Sequence, residues 1–342
     1  MNLKERPLEV VGGGVAGLSI GIALRKAAIP VVLHEAGTYP RHRLCGEFVN
    51  GVSRKTLCNL GLEDLFKDSL IHHDMTWWAH NEQIAQVALR HPVPALSRWE
   101  MDQRMSSLFQ EMGGELHCQQ RLANQPAEGR IWAAGHKLNR GSNWLGLKSH
   151  FIGLDTCSGL EMHIGEGGYI GLTPVEGGRV NVCGLFEKRT GLSGKGIELL
   201  FSYLSACGLP KLVARLQAAE ADKSSLTGVS GISFGQQEQE SELLVLGDAE
   251  RMIPPFTGNG MSMAFEAAES SLDSLVAYSH HEQSWEETRA EVRRRLQHRF
   301  RRRIALAKTL HPLILKSTAH NALATLAKSG LLPFSFLTRL LT

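Results

Sequence analysis

The sequence predicts an α/β protein: a parallel sheet covered by helices, an antiparallel sheet inserted into it, and a helical C-terminus. Three stretches carry that prediction. Leu8 to Glu35 reads as strand, glycine turn, helix, strand and terminal acid. Residues 145 to 186 alternate apolar runs with glycine punctuation, the pattern of half-buried antiparallel strands. Leu243–Leu246 is a short apolar strand closed at once by Gly247-Asp248.

In the first stretch Leu8-Glu9-Val10-Val11 is β-prone, and Gly12, Gly14 and Gly17 follow in G-x-G-x-x-G spacing around Val15 and Ala16. Leu18, Ile20, Ile22, Ala23 and Leu24 then mark one buried helix face, and Val31-Val32-Leu33-His34 a second strand. Each glycine has a physical task in a dinucleotide site. Gly12 permits the sharp turn, Gly14 lets a pyrophosphate approach the backbone, and Gly17 lets helix and strand pack closely. The helix N-terminus offers free N–H groups and a favourable dipole to the phosphates. Glu35 ends the second strand, where its carboxylate can accept hydrogen bonds from a ribose diol.

Composition sets bounds on the rest. The 342 residues are about two domains' worth, 43% hydrophobic and 21% charged. A net charge of +3 gives no general electrostatic case for nucleic acid. The six cysteines form no C-x-x-C pair and no metal spacing with histidine, so no metal site is expected, and reduced thiols in a cytoplasmic protein fit best. The first strand begins too early to leave room for a signal peptide, and no run approaches the ~20 apolar residues of a membrane span.

Along the chain, Tyr39 to Glu47 is basic and irregular. Residues 53–68 read as helical, residues 75–89 as β with Pro92 and Pro94 breaking the run, and residues 98–112 as a helix stopped by Gly113-Gly114. Glu115–Cys118 and Ile131–Gly135 are expected strands of the parallel sheet. Helices are expected over 195–219, from Gly260 to about Tyr278, and from Glu282 onward.

The second motif follows Gly247-Asp248: Pro254-Pro255-Phe256-Thr257-Gly258-Asn259-Gly260-Met261, a turn delivering a second helix N-terminus beside the buried strand's carboxyl end. With this motif, with Gly12 to Glu35, with Pro40-Arg41-x-Arg43-x-Cys45-Gly46-Glu47 and with Arg98-x-x-x-Asp102, the chain resembles flavoproteins of the geranylgeranyl reductase type. These lie within the larger class typified by para-hydroxybenzoate hydroxylase. The resemblance implies a glutathione-reductase-like Rossmann FAD domain (1–71, 98–144 and 243–278), an inserted antiparallel β-sheet substrate domain (72–97 and 145–242) and C-terminal helices (279–342). It implies FAD bound extended, with the Gly12–Gly17 loop, Arg43 and Arg98 at the pyrophosphate. Arg41 belongs to the same basic loop, Glu35 to the ribose and Asp248 to the ribityl chain. Pro255, Gly258, Gly260 and Met261 fall beside the flavin ring, and Cys45 becomes the candidate catalytic residue. The sequence departs from the family where Ala133-Ala134-Gly135-His136 replaces an Asp-Gly motif, in the short segment between Cys118 and Ile131, and where Gly171 replaces a tryptophan after Tyr169.

The expected activity is FAD-dependent oxidoreduction of an apolar small-molecule or carrier-bound substrate, by reduction or desaturation of a C–C bond. The alternatives are hydroxylation dependent on NAD(P)H and oxygen, or a non-catalytic flavin-binding scaffold. No tryptophan-rich halogenase signature is present. No second G-x-G-x-x-G exists, so NADPH or NADH would bind transiently. Arg41, His42 and Arg43 would favour a Cys45 thiolate, although a purely structural cysteine remains open. Trp77 and Trp78 divide between core and cavity, and His72-His73 read as a solvated turn. His163, Glu166 and Tyr169 are pocket candidates on a strand expected to roof the flavin. The run Arg293–Arg295, Arg299 and Arg301–Arg303 has acidic partners only upstream (Glu286, Glu287, Glu291). It reads as a solvated face, or as a docking surface for an acidic partner or peripheral membrane helped by Leu331, Leu332, Phe334, Phe336 and Leu337.

Overall fold

The computed structural model describes residues 4–79, 81–237 and 242–315. In chain order its elements begin with β1 (Leu8–Val11), α1 (Val15–Lys26), β2 (Val31–His34), α2 (Arg54–Leu60), β3 (Leu70–Ala79), β4 (Glu82–Ala95) and α3 (Arg98–Glu111). There follow β5 (Glu115–His117), β6 (Arg130–Trp132), β7 (Trp144–Ile152), β8 (Leu160–Gly165), β9 (Gly168–Val175) and β10 (Arg179–Glu187). After α4 (Ile197–Ala206) and α5 (Pro210–Gln217) come β11 (Glu220–Ile232), β12 (Gly235–Gln236), β13 (Leu244–Val245) and β14 (Arg251–Met252). The helices α6 (Gly260–Ser279) and α7 (Trp285–Leu315) complete the described chain.

Five strands form a parallel sheet in the order β13-β6-β1-β2-β5. The chain leaves β1 in opposite directions to build the two halves, so the switch point lies at β1's carboxyl end, where Gly12 turns. Leu18, Ile20, Ile22 and Leu24 of α1 pack with Met101, Met105 and Phe109 of α3 and Phe265 of α6 in one core.

Seven strands form a second sheet in the order β11-β7-β10-β9-β8-β3-β4. It is mixed rather than antiparallel, because β3 and β8 run parallel. The chain passes through the first unit between those two strands, supplying the long crossover a parallel pair needs. β4 also continues through Pro92 and Pro94 to Ala95. It is an edge strand, where a missing N–H costs no ladder bond.

The two faces of this sheet have different neighbours. Phe151, Ile170, Leu172 and Phe186 look outward onto Leu200, Leu204, Leu212 and Leu216 of α4 and α5. Met162, Tyr169 and Leu185 look inward onto Phe48 and Phe256 of the first unit. Tyr169 accepts a hydrogen bond from the Phe256 N–H at 3.2 Å. His163 is not on that inner face: its ring bonds Glu161 at 2.9 Å, and Arg215 of α5 clamps the same carboxylate. Trp78 stacks on His163 with ring centroids 5.5 Å apart, and Glu166 is exposed in a turn. His72 lies within β3, buried against the Pro174 carbonyl at 2.9 Å, not in a solvated turn.

The arginines of α7 find acids that spacing along their own helix could not reveal. Arg295 meets Asp273, Arg299 meets Glu266 and Glu269, and Arg303 meets Glu266, all on α6. These three arginines fasten α7 to α6, while Arg294 and Arg295 also pair with Glu291 upstream on their own helix. The apolar tail from Leu331 to Leu337 lies outside the described residues. Among the described residues no helix is long and apolar enough to cross a membrane.

These buried groups predict acid lability. Burial holds His311 at about 4, so below pH ~6.5 the unfolded chain binds a proton that the folded chain refuses until about pH 4. Burial raises Glu161, but His163 and Arg215 outweigh it and hold the carboxyl at about 2. Its contribution is present above pH ~4.5 and lost as pH falls toward 2. The melting temperature should decline from pH 6.5 to 4 and again below 4.5. A flat profile from pH 7 to 4 in differential scanning calorimetry would contradict this.

Candidate active site at two helix N-termini

The three motif glycines do two different jobs. Gly12 has φ +106°, and a Cβ there would lie 2.4 Å from the Ala133 carbonyl. A Cβ on Gly17 would lie 1.9 Å from the Gly12 carbonyl. Both are demanded by packing. Gly14 differs: it caps α1, and a Cβ on it would meet nothing within 4 Å. Val15 and Ala16 follow in the first helical turn, whose N–H groups have no intrahelical partner. An open space therefore faces a helix N-terminus.

Gly260 repeats that arrangement at the start of α6, again with nothing within 4 Å of its Cβ position. Pro255 opens the short 3-10 turn before it. Gly258, at φ +66°, lies against the Phe48 ring, 2.4 Å from where its Cβ would be. Gly247 (φ +66°) brings its segment onto α1, since a Cβ there would lie 2.8 Å from the Ala16 methyl. Asp248 follows, an exposed residue at the mouth of this turn. Desolvation pushes its pKa up, against a weaker downward pull from His136 and Arg98. Among the described residues, the Nε2 of His136 is buried without a hydrogen-bond partner. The sequence departure at Ala133–His136 thus places an imidazole beside this carboxyl.

A chain of charges fills the space between the two termini. Arg98 holds Asp102 with two hydrogen bonds of 2.7 and 2.8 Å, and Arg43 donates to the same carboxylate at 2.9 Å. Arg43 also reaches Glu35 at 3.4 Å, and Arg41 donates to Glu35 at 2.8 Å. The N–H groups of Gly13 and Gly37 donate to Glu35 at 2.8 and 2.7 Å. Burial raises this carboxyl, but these cations and N–H groups prevail and hold it below its usual range. A ribose diol would have to displace one of the arginines.

Cys45 does not meet the expectation of a thiolate. Burial pushes its thiol up, and nearby Arg98 only partly offsets this. Arg41 and Arg43 are committed to Glu35 and Asp102. The Sγ lies 3.6 Å from Met261 Sδ and accepts the Glu47 N–H at 3.4 Å. Cys45 joins its loop to the start of α6 as a neutral thiol.

Sequence reasoning missed a second cluster, on the inner face of the mixed sheet. Glu47, with φ +59°, is fully buried. It accepts from the Arg98 N–H at 3.1 Å, contacts Lys148 Nζ at 3.3 Å and bonds His150 Nε2 at 2.6 Å. Lys148 Nζ also lies 3.2 Å from His42 Nδ1. His42, Glu47 and His150 bring one potential ligand atom each within 4.8 Å of one another. Lys148 already supplies the positive charge there. The available signal was a lysine and a histidine two apart inside the apolar strand Leu145–Phe151, a polar pair on one face.

No family model matches the chain, and no curated protein matches it in sequence. Solved structures do resemble it. The Pseudomonas aeruginosa protein PqsL, in complex with 2-aminobenzoylacetate, aligns at a TM-score of 0.74 and 15% identity over 94% of this chain and 99% of its own. The flavin-dependent brominase Bmp2 aligns at 0.76 and 15% identity, over 99% of this chain and 93% of its own. The p-nitrophenol 4-monooxygenase PnpA of Pseudomonas putida aligns at 0.74 and 15% identity, over 99% of both chains. The fold is the one these flavin-dependent enzymes share. It gives the finer geranylgeranyl reductase resemblance no added support.

The two kinds of glycine separate in a mutation test. Gly14→Val should leave folding intact and abolish dinucleotide binding, because its side chain would enter the open space. Gly17→Val should prevent folding altogether. A Gly14→Val protein with unchanged dinucleotide affinity by titration calorimetry would remove α1 from the site.

A second test addresses Glu47. Lys148→Met strands a buried carboxylate and should cost about 3–5 kcal/mol in urea denaturation. Adding Glu47→Gln should recover most of that loss. If the double variant were no more stable than the single, the pair would not be coupled.

Proposed function

We propose that this chain is an FAD-dependent monooxygenase of small molecules. The observation that carries the reading is the pair of glycine-opened helix N-termini, Gly14 and Gly260, with the Arg43–Asp102–Arg98 chain and Asp248 beside them. FAD is a ligand with two electron-rich regions, and each helix N-terminus favours negative charge. The Gly12–Gly17 loop with Val15 and Ala16 would hold the pyrophosphate, and Glu35 the adenosine ribose. Asp248 would hold the ribityl hydroxyls. Pro255, Gly258, Gly260 and Met261 would flank the flavin ring. Bound FAD would supply the two-electron redox chemistry that side chains lack, drawing electrons from NADH or NADPH and passing them to oxygen.

The chain's own residues do the rest. The mixed sheet closes over the Cys45–Phe48 loop, and Leu44 and Phe48 exclude water from that junction. Arg98 and Asp248 fix the charge balance beneath it. The fold's likeness to PqsL and PnpA supports oxygenation. So does the inner sheet face, where Lys148, His150 and Asn181 make a polar roof ill suited to a polyprenyl chain. A second reading, C–C bond reduction of an apolar substrate, draws on the aromatic half of that face. There Trp144, Tyr169, Phe234 and Phe256 surround His311.

Anaerobic and aerobic assays separate the readings. The purified protein should release FAD on denaturation. With a substrate it should consume oxygen as it oxidises NADH, NADPH or supplied reduced flavin. Turnover that proceeds equally well without oxygen would favour C–C bond reduction and overturn the monooxygenase.

A further inference from the structure

One titratable side chain borders the cofactor space with its hydrogen-bonding unmet. His136 follows β6 in the segment that abuts the Gly12 turn, where the Ala133 carbonyl lies 2.4 Å from the Cβ position of Gly12. Gly135, at φ +77°, has nothing within 4 Å of its own Cβ position, so this segment faces open space as Gly14 and Gly260 do. The imidazole is half-buried. Among the described residues its Nε2 is covered and without a hydrogen-bond partner, which is uncommon and costly for a polar atom.

The charges around this space cancel. Arg41, Arg43 and Arg98 are ion-paired with Glu35 and Asp102. With Asp248 added, three cations meet three carboxylates and the sum is zero. Asp248 is the carboxylate that acts on His136, and Arg98 of α3 acts on Asp248 in turn. Lys137 and Arg140, on the segment of His136 itself, are exposed to solvent. Burial holds the imidazole below its ordinary range, and Asp248 only partly offsets this, so the flavin-free chain keeps His136 neutral at pH 7. An FAD diphosphate would bring two negative charges into this balanced space. The N-terminus of α1 answers about half of one charge. An imidazole is the side chain that can gain a positive charge near neutral pH. Once protonated, both its ring nitrogens donate, and Nε2 gains a use for an oxygen acceptor.

We propose that FAD loading is proton-linked: His136, flanked by Asp248, takes up one proton as the anionic linker of the cofactor enters, and holds that linker by charge. This rests on the FAD reading of the same site and names its regulation. The proton comes from solvent and binds the imidazole lone pair; no covalent bond to the cofactor forms and nothing is oxidised. Asp248 is the positioning residue, since its carboxylate favours the cation beside it. The sign follows. Affinity for FAD is greatest below the titration of His136 in the complex, and falls as pH rises through it.

The test is equilibrium titration of the flavin-free protein with FAD between pH 6 and 8.5. Affinity should fall at least about tenfold across that range. Calorimetry in two buffers of different ionisation enthalpy counts protons directly, and should find about half a proton or more taken up per FAD at pH 7. His136→Gln keeps side-chain donors but does not titrate. It should bind FAD independently of pH, without proton uptake, at about the high-pH affinity of the wild type. If that variant does not fold, Asp248→Asn should carry the same decline to lower pH, because the carboxylate holds the proton on the imidazole. A flat wild-type profile, no proton uptake, or an unchanged decline in His136→Gln or Asp248→Asn would overturn the proposal. Failure of the wild-type protein to bind FAD at any pH would instead overturn the underlying reading.

Discussion

The structure depends on one buried carboxylate. Glu47 joins three parts of the chain that are far apart in sequence: the 39–49 loop, the start of α3 through the Arg98 N–H, and β7 through Lys148 and His150. Burial opposes its charge, yet the hydrogen bond from His150, the Lys148 charge and the Arg98 N–H win and hold its pKa below the usual range. A buried charge of this kind costs several kcal/mol unless every partner is in place, so it fixes geometry more than it adds stability. The positive φ at Glu47 is a local cost accepted to bring the carboxylate under the sheet.

From that anchor the rest of the site follows. The backbone on either side of Glu47 places Cys45 against Met261 and Phe48 against Gly258, so the same loop locates the start of α6. The loop's two arginines turn the other way and meet Glu35 and Asp102, which locates the start of α1. Two helix N-termini are thus aimed into one region by a single irregular segment. Regular elements supply the dipoles, and the loop supplies their relative position.

How much of this was legible in the sequence depends on the range of the interaction. The G-x-G-x-x-G turn and the α1 face are local patterns, and the structure places them as spacing suggested. The short segment before Ile131 correctly implied little structure between β5 and β6. Non-local facts were invisible. Which face of β8 carries His163 depends on register, and one residue decides between α5 and the loops below. Arg294 and Arg295 do pair with Glu291 upstream, as spacing suggested, but the acids that Arg299 and Arg303 meet on α6 could not be read, because partners across a helix interface leave no spacing signal. Cys45 looked activated from its neighbours in sequence, but those arginines point elsewhere. Lys148 and His150 show as a polar pair in an apolar strand, yet nothing local names Glu47 as their partner.

The central claim is that the Gly14 terminus holds an ADP-like head and the Gly260 terminus a ring that is tied to it. Equilibrium titration of flavin-free protein with FAD, FMN and ADP tests this most directly. The account predicts tight binding of FAD, weaker but measurable binding of ADP alone, and weakening of both by Gly14→Val. FMN binding as tight as FAD, indifferent to that substitution, would contradict it.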